Sequence, residues 1–342
     1  METTVGEAKE LTGSLLQLAG MPAEHAARTA WALVVSEVWG RGSHGLLRLP
    51  FYLGRFEAGG ADPRAELRLV SDSGAAVVYD GGSGLGHWQL WEAATLATER
   101  AGQFGIAAVS VGNSGHCGAL GLYVLPMVEA GMIGLAFSNG PAVMPPWGGS
   151  APVVSTSPLA AGIPTIPRPS IVDLATSSVA RGKIAEAAAA GRSLPEGWAL
   201  DEGGQPTTDP AAALSGMLAP MGGAKGFALA FMVEALTGAM VGPNLAGDVA
   251  DPLSTAGAPH PQRIGHLVLA LDLGRFSVDG NQKRRFADLA TRVTAAGGRL
   301  PGSGRMLPGE IDDDDTLTVS EQVAGDLARL AAEQGIGLPS GW

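Results

Sequence analysis

A histidine, an arginine and a tyrosine recur at intervals of four residues, as His44, Arg48 and Tyr52. They would lie along one face of a helix that begins near Gly45, because residues four apart are neighbours on a helix surface. Histidine exchanges a proton near neutral pH, and arginine binds a carboxylate through two parallel hydrogen bonds. The spacing therefore predicts an acid/base group beside a carboxylate clamp. An interhelical turn with an exposed histidine and arginine is the alternative.

A second histidine, His116, lies among small residues in "GNSGHCG". It follows a predicted strand and precedes a predicted helix, and glycines around it would let another molecule approach the backbone closely. A Gly-rich turn around a partly buried histidine would give the same pattern. A serine hydrolase is disfavoured, since Ser114 lacks the GxSxG spacing of a nucleophile elbow. His116 is therefore a second candidate for proton transfer.

Residues 40–45, "GRGSHG", match the GxGxxG pattern of dinucleotide-binding loops. That fingerprint requires a strand before the glycines and a helix after them, so that the helix N-terminus faces a pyrophosphate. Here residues 22–39 have helical apolar spacing, and an amphipathic pattern resumes over 46–57 with an internal Pro50. The flanking elements argue against a Rossmann fold.

Three other segments could bind an anion or a cofactor. Thr176 and Ser177 stand where a predicted strand passes into a helix, whose backbone N–H groups attract anions. Lys225 opens a long apolar helix, where the helix dipole and the ammonium would both favour a phosphate. Glu310, in "LPGE", could hold a ribose diol. Helix capping, a solvated lysine and a surface turn are the respective alternatives.

The elements that would position these residues change in character along the chain. Residues 5–20 and 22–39 are predicted helices, and from about residue 66 short strands alternate with helices. Alternation suggests a doubly wound parallel sheet, although short strands joined by turns equally allow a mixed or antiparallel one. Strands are predicted within 66–82 and at 106–114, 132–139, 170–177 and 263–273, helices at 88–105, 118–131, 177–194, 224–241, 281–297 and 319–335, and loops at 140–160 and 199–210.

Composition limits the class of protein. The chain has 342 residues, 46% of them hydrophobic, which suits two domains or one with a lobe. A net charge of −11 argues against a nucleic-acid partner. One cysteine excludes an intramolecular disulfide, and the six histidines lack metal-binding spacing, so no metal is expected. With no signal-peptide pattern and no span-length apolar stretch, we expect a cytoplasmic protein without a membrane partner.

The order of the motifs is more specific than any one of them. "RGSHGLLRLPFY", "VGNSGHCGALGLY", "IGLAFSNGPAVMPPWGG", "DLATSSVARGK", "LPEGWALDEGGQPTTDP", "GGAKGFALAFMVEALTGAMVG" and "LPGE" together resemble the malate/L-lactate dehydrogenase family that lacks a Rossmann domain, which includes ureidoglycolate, sulfolactate and diketogulonate oxidoreductases. The resemblance covers about residues 10–312. It implies an α+β fold: a mostly antiparallel seven-stranded sheet flanked by helices, plus a helical domain built from N-terminal and later segments.

The resemblance also implies a domain plan and an activity. Residues 1–65 would form a helical substrate and dimerisation region, 66–275 the nicotinamide-binding domain with a helical insert at about 177–240, and 276–342 helices that pack back on the N-terminal region. The implied protein is a homodimer that uses NAD or NADP, with no indication of which. It would transfer a hydride between the nicotinamide and a small 2-hydroxy or 2-oxo acid.

Site roles implied by the resemblance fall on numbered positions. His44 would donate or accept the proton, Ser43 would be its hydrogen-bonding neighbour and His116 a second active-site histidine. Arg48, Tyr52 and Thr156 would bind substrate, although Thr156 stands in Ser-Thr-Ser-Pro where the family usually has Gly-Thr-Asn-Pro. The implied cofactor-binding residues are Asn139, Asp173, Leu174, Ala175, Thr176, Lys225, Gly226, Pro308, Gly309 and Glu310.

Two alternatives remain within this resemblance. One is a reductase of cyclic imine acids of the piperideine- or pyrroline-2-carboxylate type; that branch carries an aspartate where this chain has Lys183 and lacks the NSxHxG pattern around His116. The other is a family member that has lost catalysis and only binds a ligand. The presence of Ser43, His44, Arg48 and His116 disfavours it.

Overall fold

The computed structural model describes residues 1–251, 257–339 and 342. The helices are α1 (Val5–Leu18), α2 (Ala23–Val38), α3 (Leu49–Ala58), α4 (Gly86–Phe104), α5 (Leu125–Glu129), α6 (Arg181–Ala189), α7 (Pro210–Ser215), α8 (Ala224–Glu234), α9 (Gln282–Ala295) and α10 (Glu321–Glu333). The strands are β1 (Glu2–Thr4), β2 (Arg68–Asp72), β3 (Ala76–Asp80), β4 (Ile106–Ser114), β5 (Ile133–Ser138), β6 (Leu159–Ile163), β7 (Ser170–Leu174), β8 (Ala199–Leu200), β9 (Pro206–Thr207), β10 (Met217–Leu218), β11 (Ile264–Leu271) and β12 (Thr316–Thr318). Within the described part of the chain, no helix is both long and apolar enough to cross a membrane.

A seven-stranded sheet in the order β2-β3-β4-β11-β5-β6-β7 forms the centre of the molecule. Only β3 and β4 run parallel; every other neighbouring pair in this sheet is antiparallel. The mostly antiparallel sheet that the resemblance implied is confirmed, and the doubly wound parallel alternative is wrong. The reason is β11, which returns from far along the chain and pairs antiparallel with both β4 and β5; Leu267, for example, lies between Ser110 and Phe137.

Helix α4 packs against this sheet through a stripe of small side chains. Ala93, Ala97 and Ala101 are spaced four residues apart, so they share one face of the helix, and each is fully buried. Their short side chains let α4 lie close to β4 and β11, its principal partners in the sheet. The rigid layer that results fixes the ends of β4 and β11, where candidate site residues lie.

A second hydrophobic core joins the two ends of the chain. Side chains of α1, α2 and α3 pack with those of α10, and Leu15 and Leu327 are both buried there. Strand β1 pairs with β12, which ties residues 2–4 to 316–318. Thr4 caps α1 by accepting the Glu7 N–H, and Glu7 accepts the Thr4 N–H in return. The N-terminal helices are therefore held in place by the last helix.

A third, smaller core lies between α6, α7 and the short sheet β10-β8-β9. Ile184 of α6, Ala199 of β8 and Leu218 of β10 are buried within it. The sequence predicted only a polar turn over 199–210, because two-residue strands leave no periodic signal. This small unit precedes α8 and positions its N-terminus.

Two predicted helices are shorter in the structure, and one strand was not predicted. The helix expected at 118–131 is a 3₁₀ segment, Leu120–Val124, followed by the five-residue α5, because Pro126 interrupts the regular pattern. The helix expected at 177–194 is confined to α6. Strand β6 was missed: its first two residues end the stretch 140–160 that was interpreted as a loop, and its last three were assigned to no element.

Candidate active site

The half-buried carboxylate of Glu37 organises the loop that carries His44. After α2 the chain forms two 3₁₀ turns, Gly42–His44 and Leu46–Arg48, before α3 begins. Glu37 Oε1 accepts the backbone N–H of Leu46 at 2.8 Å. A Cβ atom on Gly45 would lie 2.4 Å from that oxygen, and one on Gly42 would lie 2.9 Å from Oε2. Two of the three glycines of the GxGxxG match, Gly42 and Gly45, thus lie against a carboxylate of the protein itself, which explains their presence without a Rossmann fold.

Glu37 was not predicted as a site residue from the sequence. Burial raises the pKa of this carboxyl, while hydrogen bonds from the Leu46 and Leu47 amides oppose the rise. An acid in the last turn of a helix is unfavourable to the helix dipole, so its presence directly before a Gly-rich segment was the available signal.

His44 and Arg48 are brought together, although not on one helix face. They occupy separate 3₁₀ turns, and only Tyr52 lies in α3, so the predicted helix from Gly45 is wrong. Ser43 links the two: its Oγ lies 3.0 Å from His44 Nδ1, and its carbonyl oxygen accepts a 2.6 Å hydrogen bond from Arg48 Nε. The loop therefore presents an imidazole and a guanidinium in a fixed relation.

His116 faces His44 from the end of β4. The two imidazole centroids are 6.0 Å apart, with ring planes inclined by 25°. Tyr52 is 2% exposed, and its hydroxyl lies 2.7 Å from His116 Nδ1. The backbone N–H of His116 donates to Gln262 Oε1 at 3.0 Å. The structure thus brings together the five residues expected to carry the chemistry or to bind the substrate's carboxylate: Ser43, His44, Arg48, Tyr52 and His116.

Two further histidines lie behind this group and were not predicted. His87 and His266 are 1% and 0% exposed, and neither ring nitrogen of His87 has a hydrogen-bond partner among the described residues. The His87 ring lies edge-on to Tyr52, with centroids 5.0 Å apart, and 6.3 Å from that of His116. Burial lowers the pKa of His87 to about 3 and that of His266 to about 4. Both imidazoles are therefore neutral in the folded protein near pH 7.

These two histidines make the fold sensitive to acid. Their folded pKa values lie below the unfolded value of 6.5, so the unfolded chain binds more protons and stability falls as the pH drops from about 6.5 towards 4. We expect the free energy of unfolding to be lower by about 2–4 kcal/mol at about pH 5 than at pH 7. Urea titrations at both pH values measure this. His87→Gln should reduce the difference markedly; an unchanged difference would show that His87 does not contribute.

A second group of predicted residues meets beside the N-terminus of α8. Thr176 donates its backbone N–H and its hydroxyl to the Thr156 carbonyl, at 2.8 and 2.9 Å, and accepts the Met221 N–H at 2.8 Å. A Cβ on Gly226 would lie 2.1 Å from the Met221 carbonyl oxygen, so this tight loop requires glycine. Lys225 is exposed in the first turn of α8 and has no hydrogen bond or ion pair with the described part of the chain. Leu174 and Ala175 are half-buried just before Thr176.

Asp173 links this second group to His44. Its carboxylate lies 3.7 Å from an Nη atom of Arg305, whose guanidinium covers the Trp39 ring at 4.9 Å. Burial lowers the pKa of His44, and the Asp173 charge opposes that shift. Arg305 was missed because it lies far along the chain and in no recognisable motif.

The remaining predicted cofactor residues have side chains already engaged within the protein. Asn139 accepts the Gly265 N–H and donates to the Asn244 carbonyl, both at 3.0 Å. Glu310 is paired with Arg168 and accepts the Leu307 N–H at 2.7 Å, contacts that lower the pKa of its carboxyl. Pro308 and Gly309 form a 3₁₀ turn with Glu310. Among the described residues, no group of three or more histidine, cysteine or acidic side chains could hold a metal ion.

Comparison with known proteins assigns the family. A model of the malate/L-lactate dehydrogenase family matches residues 4–322. The chain belongs to that family. A (2R)-3-sulfolactate dehydrogenase (NADP(+)) of Chromohalobacter salexigens is 40% identical over 301 residues, 87% of this chain and 89% of the relative. A Δ1-pyrroline-2-carboxylate reductase of Ancylobacter novellus is 34% identical over 96% of both chains.

The fold agrees with that assignment. The solved structure of sulfolactate dehydrogenase from Methanocaldococcus jannaschii superimposes with a TM-score of 0.87 at 31% identity, covering 99% of this chain and 98% of that one. The family resemblance drawn from the order of the motifs is thus confirmed, together with the α+β fold that it implied.

Proposed function

We propose that this member of the malate/L-lactate dehydrogenase family is an NAD(P)-dependent oxidoreductase of small 2-hydroxy and 2-oxo acids. The observation that carries the proposal is the junction at Ser43, which holds His44 and Arg48 side by side and opposite His116. An imidazole beside a guanidinium is the pair needed to transfer a proton at an oxygen while a neighbouring carboxylate is held.

His44 is the proton donor in reduction and the acceptor in oxidation. Its N–H bond breaks as the substrate oxygen gains the proton, and the nitrogen keeps the electron pair. Arg48 binds the carboxylate and so fixes the carbon that reacts. Arg48 Nε is held by the Ser43 carbonyl, while Nη1 and Nη2 donate to no residue among those described, so the fork of the guanidinium is available to a substrate. A bound nicotinamide coenzyme supplies or accepts the hydride.

The residues beside α8 suit that coenzyme. Lys225 and the first N–H groups of α8 would favour a phosphate, because the helix dipole and the ammonium charge add there. Asp173, Leu174, Ala175 and Thr176 approach the same place from the end of β7. In this plan the N-terminal region, 1–65, supplies side chains that bind the substrate, and the sheet region, 66–275, holds the coenzyme.

The substrate to test first is the 2-oxo acid of sulfolactate, with NADPH, since the relative at 40% identity is named a sulfolactate dehydrogenase that uses NADP(+). Loss of nicotinamide absorbance with a panel of 2-oxo acids, one cyclic imine acid and either coenzyme measures the reaction. Turnover of a 2-oxo acid supports the proposal. Turnover of the imine alone would contradict it and assign the chain to the imine-reducing branch, and coenzyme binding without turnover would indicate a substrate outside the panel.

Dimerisation belongs to the same proposal, and α8 offers the surface. Phe231 is 62% exposed and Met240 59%, and Met232 and Leu229 of the same segment are partly exposed. Exposed apolar surface of this kind often marks an interaction site. Apart from Lys225 the exposed positions of the segment 224–240 carry no charge, so we propose that a second copy covers this face.

A cytoplasmic location is included in the proposal, because the buried free thiol of Cys117 suits a reducing compartment.

Placing a charge on this face should separate the copies. For Phe231→Glu we expect a shift from dimer to monomer in sedimentation or light scattering, since an unpaired carboxylate would be buried at the interface. Val278→Glu is the matched control, because Val278 is fully exposed elsewhere. A wild-type protein that is already monomeric would contradict the proposed dimer.

A further inference from the structure

Two groups lie within hydrogen-bond distance of His116 Nδ1, and one of them, a backbone N–H, can act only as a donor. The backbone N–H of Gly118 points at Nδ1 from 3.3 Å, and Tyr52 Oη lies 2.7 Å away. A backbone N–H can only donate, so Nδ1 must carry a lone pair. The Tyr52 hydroxyl consequently donates as well. A neutral imidazole with a lone pair on Nδ1 carries its proton on Nε2.

We propose that Tyr52 is a positioning residue that, together with the Gly118 amide, holds His116 as a neutral Nε2–H donor, so that His116 hydrogen-bonds the substrate oxygen while His44 alone exchanges the proton. The catalytic half of this inference rests on the proposed function. The assignment of the tautomer does not, because it depends only on contacts within the protein.

Proton transfer from His116 would leave a negative charge in a buried position. If Nε2 gave up its proton, Nδ1 would need one from Tyr52, whose burial raises the pKa of its phenol. A tyrosinate at a 2% exposed position is strongly unfavourable, and the nearby Arg48 charge opposes the effect of burial only in part. His116 can therefore stabilise negative charge on a substrate oxygen, but it is a poor acid.

His44 has the opposite arrangement. Its Nδ1 neighbour is the Ser43 hydroxyl, which can rotate and either donate or accept. The His44 ring can therefore be neutral in either tautomer or doubly protonated without losing that hydrogen bond. Of the two imidazoles, only His44 has a partner that permits its charge to change.

The neighbours of His116 also disfavour a positive charge on it. Besides the Tyr52 phenol, the titratable or charged groups that act on its ring are His44, His87, His266 and Arg48, each of which makes protonation less favourable. Burial acts in the same direction and is the largest cause of the lowered pKa of His116. Protonating His116 would further require both donors to turn away from Nδ1.

Histidine-selective ¹⁵N NMR of the coenzyme-free protein tests the tautomer directly, since protonated and unprotonated ring nitrogens have well-separated shifts. We expect His116, assigned by loss of its signals in His116→Gln, to be protonated at Nε2 only and to stay neutral through the acid range in which the protein is folded. In Tyr52→Phe we expect His116 to keep its proton on Nε2, because the Gly118 N–H remains, but to titrate at higher pH, because Nδ1 has lost one of its two donors. A proton on Nδ1 in the wild-type protein would overturn the proposal.

Thr237→Val is the matched control. Thr237 is fully buried and its hydroxyl donates to the Val233 carbonyl at 2.7 Å, so its loss removes a buried hydrogen bond that involves neither an imidazole nor the peptide that bonds His116. Both variants should lose similar stability, but only Tyr52→Phe should change the His116 spectrum, lower kcat about five- to tenfold and leave KM nearly unchanged. Equal kcat in the two variants would contradict the positioning role. Lack of turnover in the wild type, with the tautomer as expected, would refute only the proposed function.

Discussion

Replacing His44 with glutamine is expected to lower kcat by roughly 10²–10⁴-fold, the usual contribution of a positioned general acid. Glutamine fills a similar volume and can still hydrogen-bond Ser43, but it cannot release a proton to the substrate oxygen. Because binding of the carboxylate by Arg48 is untouched, KM should change far less than kcat. Initial rates of nicotinamide oxidation with the preferred 2-oxo acid measure both.

The pH dependence of the wild-type reaction has a direction that follows from the environment of His44. Burial lowers the pKa of this imidazole, so the neutral form prevails at pH 7. Oxidation of the hydroxy acid needs the neutral base and should accelerate as the pH rises through that lowered pKa. Reduction needs the protonated form and should accelerate as the pH falls. His44→Gln should flatten both profiles.

His25→Gln is a suitable control for His44→Gln. His25 stacks on Trp88 at 3.6 Å and has no ring contact with His44 or His116, so the rate of His25→Gln should stay within about twofold of wild type. If His44→Gln kept most of its kcat while His116→Gln lost it, the roles assigned to the two histidines would have to be exchanged.

The parts of the site that could be predicted from the sequence are those marked by patterns of residues close together in the chain. The spacing of His44, Arg48 and Tyr52 and the small residues around His116 pointed to groups that the structure brings together, because both are short-range patterns. The backbone conformation that brings these residues together could not be predicted from those patterns. Two 3₁₀ turns replace the expected helix because the Glu37 carboxylate captures the Leu46 N–H, and that contact depends on the path of the chain after α2.

The sheet shows the same division between local and distant information. The strand over 263–273 was found from its apolar run, but its place between β4 and β5 depends on pairing with segments more than 120 residues earlier. Strand β6 was hidden because Gly162 and the neighbouring alanines lack the β-branched composition of a strand. Its small residues are explained by contact: a Cβ on Gly162 would lie 2.6 Å from a Val128 methyl. The resemblance supplied the sheet topology that periodicity could not.

Arg48→Lys should also lower kcat/KM strongly, because it removes the paired Nη1 and Nη2 donors of the guanidinium. Arg48 Nε is fixed by the Ser43 carbonyl, and its guanidinium lies 5.7 Å from the centre of the Phe51 ring, so Nη1 and Nη2 present a pre-aligned pair of donors. Lysine keeps the charge but has one ammonium and cannot hold both that carbonyl and a substrate carboxylate in the same geometry. We expect kcat/KM to fall about 10–100-fold for Arg48→Lys and about 10²–10³-fold for Arg48→Gln, mostly through KM.

A substrate without the carboxylate separates this role from a structural one. With the methyl ester or amide of the same 2-oxo acid, wild type and Arg48→Lys should differ little, because the interaction that distinguishes them is absent from both. Arg41→Gln is the control for net charge: it removes a nearby exposed cation that also acts on the pKa of His44 but donates no hydrogen bond to Ser43. If Arg41→Gln raised KM as much as Arg48→Gln, the general positive potential of the site would be responsible for binding the acid. If substrate affinity falls only in the Arg48 variants, and only with substrates that carry a carboxylate, the paired Nη1 and Nη2 donors of Arg48 are responsible for binding the acid.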